Sequence, residues 1–272
     1  PATEAGRGLE CDKLSRRGIE AQFDGMMGKL LKQFGALAGK TFTQAIIDSW
    51  EVREQNWTAG FPDEFKKRRG YDLMPWLPVM AGGHVVGNRD QSERFLWDLR
   101  RTIADLIAEN FWGHLTRLCH EHGIIFQGEP GGRQQYLYDP IVFQKQADIP
   151  MGEFWVGGGL RVDCRTAASA AHLYGKSVVA AESFTKLKEG NWMDDPYSMK
   201  TLGDFAFCLG INRFVFHRYA HQPWLNLKPG MTMGPHGINL DRTTTWWDQG
   251  AAWISYLTRS QHLLQQGQFV AD

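Results

Sequence analysis

Four glutamates each follow a short apolar run and stand where a strand would hand over to a loop. Glu51 comes after residues 41–47, Glu129 after 123–126, Glu153 after a shorter run at 149–151, and Glu182 after 177–181. A lone glutamate in such a place is ordinarily a solvated loop residue or a helix cap. Four at successive strand ends suggest a shared rim, and paired carboxyl groups have a defined use. One, protonated, assists a leaving glycosidic oxygen, while the other, ionised, activates water or attacks the anomeric carbon. Crowding carboxylates raises the pKa of some of them, which keeps an acid available near neutrality.

A fifth run, 212–216, ends in His217-Arg218-Tyr219-Ala220-His221, followed by Gln222-Pro223-Trp224. Such a stretch can hydrogen-bond several sugar hydroxyls while an indole stacks on the ring. Zinc ligation by His217 and His221 would need a helix to bring i and i+4 together, and this segment follows a strand. His114 and His172 fall on helical tracks, where a core histidine competes with any functional reading.

Elements must hold these side chains. The apolar runs alternate with helical patterns, which is the rhythm of βα units. Residues 90–122 keep three-to-four spacing through Phe95, Leu99, Ile103, Leu106, Ile107, Phe111, Leu115 and Leu118. Residues 165–175 are alanine-rich, and 196–209 begin with a proline suited to a first helical turn. The expected fold is therefore α/β, a (β/α)8 TIM-type barrel whose active site lies at the carboxyl ends of the strands. Five strands fall short of eight, and the chain begins without methionine, so an incomplete barrel is expected. Residues 1–272 would form a single catalytic domain, itself a segment of a larger multidomain protein.

Composition narrows the function classes. Lysine plus arginine equals aspartate plus glutamate at 30 each, and the basic run Lys66-Lys67-Arg68-Arg69 before Gly70 reads as a helix end complementing its dipole. No nucleic-acid-tracking surface is expected. Eleven tryptophans in 272 residues are many, which suits either sugar stacking or a bulky core. Cys11, Cys119, Cys164 and Cys208 show no C-x-x-C pairing, and Cys119 and Cys208 are expected as buried free thiols. No apolar run reaches the roughly 18 residues of a membrane span, and no signal-type amino terminus is present. The glycine clusters at 82–83, 131–132 and 157–159 do not form G-x-G-x-x-G, and no G-x-S-x-G elbow appears, so neither a dinucleotide nor a serine-hydrolase reading has support.

Several blocks in order resemble the barrel of glycoside hydrolase family 106, the α-L-rhamnosidases. They are Gly8-Leu-Glu-Cys-Asp-Lys-Leu-Ser15, Asp48-Ser-Trp-Glu51, Phe61-Pro-Asp-Glu-Phe, Arg69-Gly-Tyr-Asp-Leu, Trp76-Leu-Pro and Gly128-Glu-Pro. Pro150-Met-Gly-Glu-Phe-Trp155, Ala180-Ala-Glu-Ser-Phe184 and Phe216-His-Arg-Tyr-Ala-His-Gln-Pro-Trp224 continue the likeness. The resemblance implies inverting cleavage of α-L-rhamnosides, with Glu51 as general acid and Glu182 as general base. It also implies calcium near the bound sugar, for which Glu153 and Glu129 are the candidate ligands. Asp48, Trp50, Glu129, Glu153, His217, Arg218 and Trp224 would line the subsite. A retaining, β-galactosidase-like barrel enzyme and a non-catalytic carbohydrate-binding fragment stay open. The expected partner is carbohydrate, with no nucleic acid and no membrane. Self-association through open barrel edges and a periplasmic or extracellular parent protein are further expectations.

Overall fold

The structure, a computed structural model, describes residues 4–50, 55–130, 139–160, 162–186, 192–232, 234, 236–267 and 269–270. In chain order the helices are α1 (Arg16–Phe23), α2 (Lys29–Phe34), α3 (Phe61–Arg69), α4 (Leu77–Met80), α5 (Arg89–Leu106), α6 (His114–Glu121), α7 (Pro140–Gln146), α8 (Val162–Leu173), α9 (Pro196–Cys208) and α10 (Ala251–Leu264). The strands are β1 (Gln44–Ile47), β2 (Ile125–Gly128), β3 (Ile149–Trp155), β4 (Gly159–Leu160), β5 (Ala180–Thr185) and β6 (Arg213–Phe216). Two compact units emerge. The first contains residues 1–45, 51–126 and 133–139, and the second 46–50, 127–132 and 140–272. Among the described residues no helix is long and apolar enough to cross a membrane.

The first unit is helical apart from the starts of β1 and β2. Asn88 opens α5 with a reciprocal cap, its side chain accepting from Gln91 N at 2.9 Å while Gln91 Oε1 accepts from Asn88 N at 3.2 Å. Phe95, Leu99, Ile103 and Leu106 form the buried stripe expected from their spacing. The track continues to Glu121 through a wider π-helical turn, Ile107–Gly113. Helix α3 stops at Gly70, whose φ of 85° suits a residue without Cβ. Its basic end does more than face a dipole. Arg68 Nη1 and Nη2 donate to the two carboxylate oxygens of Glu109 at 2.9 and 2.7 Å, and Arg69 pairs with Asp105.

The second unit carries the sheet that matters for chemistry. Strand order is β1-β2-β3-β5-β6, with β4 folded back antiparallel on β3. The β2–β3, β3–β5 and β5–β6 pairs are parallel. Ile125 N donates to Thr43 O and Glu129 N to Ile47 O, steps in the same direction that make β1–β2 parallel as well. The described residues thus give an α/β fold with five parallel strands, and they do not form a closed eight-stranded barrel. Outward residues Phe154, Phe184 and Phe214 pack with Ala167, Ala171, Phe207 and Trp253 from the covering helices. The other face begins with an apolar layer of Ile149, Met151 and Ala180, against which Val215 packs.

Strand positions differ from those expected. β2 and β5 start and end a few residues later than their apolar runs, and β3 reaches Trp155 instead of stopping near 151. Consequently Glu153 and Glu182 lie inside strands, not in the loops that follow. Small and polar residues, Gly152, Glu153, Ser183 and Thr185, are buried there, so hydropathy alone ended these strands early. Cys208 also departs from expectation, because it sits on the exposed side of α9 while Cys119 and Cys164 are buried.

Candidate active site

Alternation along the strands determines which side chains share the inner face. On β3, Met151 and Glu153 point the same way. On β5, Ala180 and Glu182 do so, and the pairs Met151↔Ala180 and Glu153↔Glu182 are in register. Gln127 joins the face by donating from Nε2 to the Met151 sulfur at 3.0 Å, which puts Glu129, two residues on, in the next layer. An apolar layer is therefore capped by a carboxylate layer at the carboxyl ends of the strands. Helix α8 can approach this point because Gly152 has no side chain. A Cβ there would stand 2.7 Å from the Asp163 backbone.

A β-bulge completes the arrangement. Between Glu153↔Glu182 and Trp155↔Thr185, β5 has one residue more than β3, and Phe184 takes the left-handed conformation with φ of 64°. That conformation is costly for a bulky residue and is held by the buried aromatic packing of Phe184 against Phe154 and Phe214. The extra residue returns Thr185 to the side of Glu182, where its hydroxyl donates to Glu182 Oε1. On β3 the Trp155 indole N–H donates to Glu153 Oε2 at 2.8 Å.

Asp48, Glu129 and Glu182 bring one carboxylate oxygen each to within 4.8 Å of one another. Asp48 is exposed, Glu182 is 9 % exposed and Glu129 is wholly buried. Neither Glu129 oxygen has a hydrogen-bond partner among the described residues. Burial, reinforced by Glu182, Glu153 and Asp48, holds the Glu129 carboxyl well above the usual carboxylate range. Burial also pushes Glu182 up to about 7, with Asp48 and Glu153 adding to the rise and the Thr185 hydroxyl opposing it. Burial lowers the pKa of His217, with the charge of Asp48 opposing the shift.

The structure therefore brings together Asp48, Glu129, Glu153 and Glu182, with His217 nearby. Glu51 lies outside the described residues. Trp50 is partly buried. Arg218 is buried, with Nε donating to His236 O at 3.2 Å and Nη1 to Asn239 Oδ1 at 3.3 Å. Trp224 is half exposed on the loop after β6, beside a separate cavity. Of the two carboxylates named from the sequence as calcium ligands, Glu129 belongs to the close group, whose other members are Asp48 and Glu182, with Glu153 outside it. His114 is buried and bonded to Glu20 and Arg117, whereas His172 is exposed and stacks on Phe269. Sequence reasoning missed Thr185 and Trp155 as supports of the two strand glutamates. Their short spacing from Glu182 and Glu153 was visible, but the bulge that makes i and i+3 neighbours on a strand was not.

Buried, mutually perturbing carboxylates at the carboxyl ends of parallel strands make a candidate site of the kind on which barrel-type glycoside hydrolases place acid–base groups. The sequence profile of glycoside hydrolase family 106, described as alpha-L-rhamnosidase, matches residues 1–272, and the chain belongs to this family. It is similar to a rhamnosidase from Novosphingobium sp. PP1Y, with a TM-score of 0.91 and 36% identity over 100% of this chain and 26% of that one. A protein of Formosa agariphila named "Putative beta-glucuronidase" is 44% identical over 273 residues, covering 100% of this chain and 23% of the relative. The chain thus spans about a quarter of the length of these relatives.

Proposed function

We propose that this chain carries the acid–base machinery of an inverting α-L-rhamnosidase, with Glu182 as general base and Glu51 as general acid. The observation that carries this is the position of the Glu182 carboxyl, buried at a strand end in a close group of carboxylates that raises its pKa in the metal-free protein. A base poised near the working pH combines a usable ionised fraction with proton affinity. The Thr185 hydroxyl orients it, since an O–H donor favours the ionised form. Inversion requires the Glu51 and Glu182 carboxyls to stand roughly 6.5–9.5 Å apart, leaving room for a water.

Calcium fits the donor set. Ligand oxygens about 2.3–2.6 Å from one ion can lie up to roughly 5.2 Å apart, and the Asp48, Glu129 and Glu182 oxygens meet that condition. Asp48 and Glu129 are the proposed holders, and the buried carboxyl of Glu129, without a donor among the described residues, matches a ligand role. The ion, when bound, supplies positive charge that keeps neighbouring carboxylates ionised and oxygen coordination for sugar hydroxyls. His217, whose pKa burial lowers, can as a neutral ring accept a hydrogen bond from a sugar hydroxyl or donate one to it.

The similarity to the Formosa protein favours a second sugar, a β-glucuronide, on the same carboxylates. Chromogenic α-L-rhamnoside and β-D-glucuronide should be assayed side by side, with the first-formed anomer followed by NMR. Rhamnoside turnover with inversion, falling by about 10²–10⁴-fold in Glu182→Gln, is the expected result. Turnover of the glucuronide alone would replace the sugar assignment, and retained configuration would overturn the inverting mechanism.

A further inference from the structure

Beyond the carboxylate layer, we infer that the loop after β6 forms a separate subsite for an anionic sugar unit, a uronate or a sulfated sugar. A cavity of about 390 Å³ lies there, whose lining includes Trp224, Lys228, Arg242 and Gln222 together with the exposed Leu225 and Leu227. That volume is within the range of small-ligand sites. Trp224 is 52% exposed and offers an apolar ring face. Lys228 and Arg242 are exposed cations with no acidic partner among the described residues, unlike Arg68 and Arg69, which are paired. An acceptor-rich anionic group on a sugar ring with an apolar C–H face matches that combination of aromatic face and two cations.

The loop is built, not merely exposed. Gln222 is buried and clasps Met231, donating from Nε2 to its carbonyl and accepting from its N–H, both at 2.8 Å. The same Nε2 lies 3.1 Å from Asp241 Oδ2, and Asp241 Oδ1 accepts from the backbone N and hydroxyl of Thr243. Gly230 permits the closure, because a Cβ there would fall 2.7 Å from Gln222 Oε1 and from Thr243 Cγ2. Arg242 is tethered by Nη2 donating to Gln222 O at 2.8 Å, which fixes the guanidinium while leaving other N–H groups for a ligand. Asp241, the nearby acid, is buried, is hydrogen-bonded to Gln222 and Thr243, and acts electrostatically on Arg218. A fixed cationic fork loses less entropy on binding than a mobile one.

This inference rests on the reading of the unit as carbohydrate-active, but its test needs no turnover. The Glu182→Gln protein is titrated with glucuronate, glucose 6-sulfate and glucose at low and high salt, with binding followed by saturation-transfer NMR. At least one anionic sugar should bind roughly tenfold more tightly than glucose at low salt, and the difference should shrink toward parity near half-molar salt, as screening of exposed charge requires. Which anion is preferred identifies carboxylate or sulfate. Lys228→Ala, a surface change that should keep the native melt, and Arg242→Ala, which also gives up the bond to Gln222 O and is compared by its melt, should each remove most of the preference, and Arg242→Lys should restore part of it. Equal binding of all three sugars, or a preference that survives both alanine substitutions, overturns the subsite. Absence of rhamnoside turnover by the unsubstituted chain, with the anion preference intact, would instead count against the catalytic assignment alone.

Discussion

Glu129 is the residue whose environment costs the fold most visibly, since a wholly buried carboxyl forfeits its hydration and meets no hydrogen-bond donor among the described residues. Glu129→Gln should therefore stabilise the metal-free protein at pH 8 by about 1–3 kcal/mol while lowering activity, a trade that urea unfolding and a rhamnoside assay would expose together. The pH dependence has a definite sign. A carboxyl whose folded pKa is raised contributes stability that is present below its unfolded value, near 4.5, and is lost as pH rises through about 7. Metal-free protein should unfold at lower urea at pH 8 than at pH 5, and Glu182→Gln should flatten that difference. Thr185→Val removes the donor that favours ionised Glu182, so the acid limb of kcat/KM should move upward in pH. A purely structural role for the threonine would leave that limb in place.

At the scale of elements, Gly152 permits the approach of α8 to β3, and Gly152→Ala should destabilise by roughly 1–3 kcal/mol because the contacting atoms are backbone and cannot step aside. Much of this level was legible. The three-to-four spacing that ends at Leu118 announced a helix that runs from Arg89 to Glu121, and Pro196 marked the start of α9. The five strands and their order along the chain were also evident as Val-, Ile- and Phe-rich runs. Strand ends were less so, because Glu153, Glu182, Ser183 and Thr185 are buried polar residues whose place depends on neighbours distant in sequence. Asp48 could be named as a subsite residue, but its place in the close carboxylate group became visible only once β1 was set beside β2. Arg218 reads from sequence like a sugar ligand. Its bonds to His236 O and Asn239 belong to a network on a segment 18 to 21 residues later, which no local pattern announces.

The molecule as a whole is a family 106 segment whose second unit contains every described carboxylate of the candidate site. Ligand linkage turns that into a test on the whole chain. If Asp48 and Glu129 hold calcium, saturation at a hundred times Kd should add about 2.7 kcal/mol of stability. Chelation should lower Tm accordingly, and Asp48→Asn should abolish the response. Length tolerance follows from the bulge in β5. Glu182 and Thr185 cooperate only because an extra residue sits between them, so the strand has a reading frame of its own. Deleting Ser183 or regularising the strand into ideal pleats would keep every chemical group in the chain yet turn one member of the pair to the opposite face. Any redesign or graft of this sheet that counts residues without counting the bulge would carry over the composition of the site and lose its grammar.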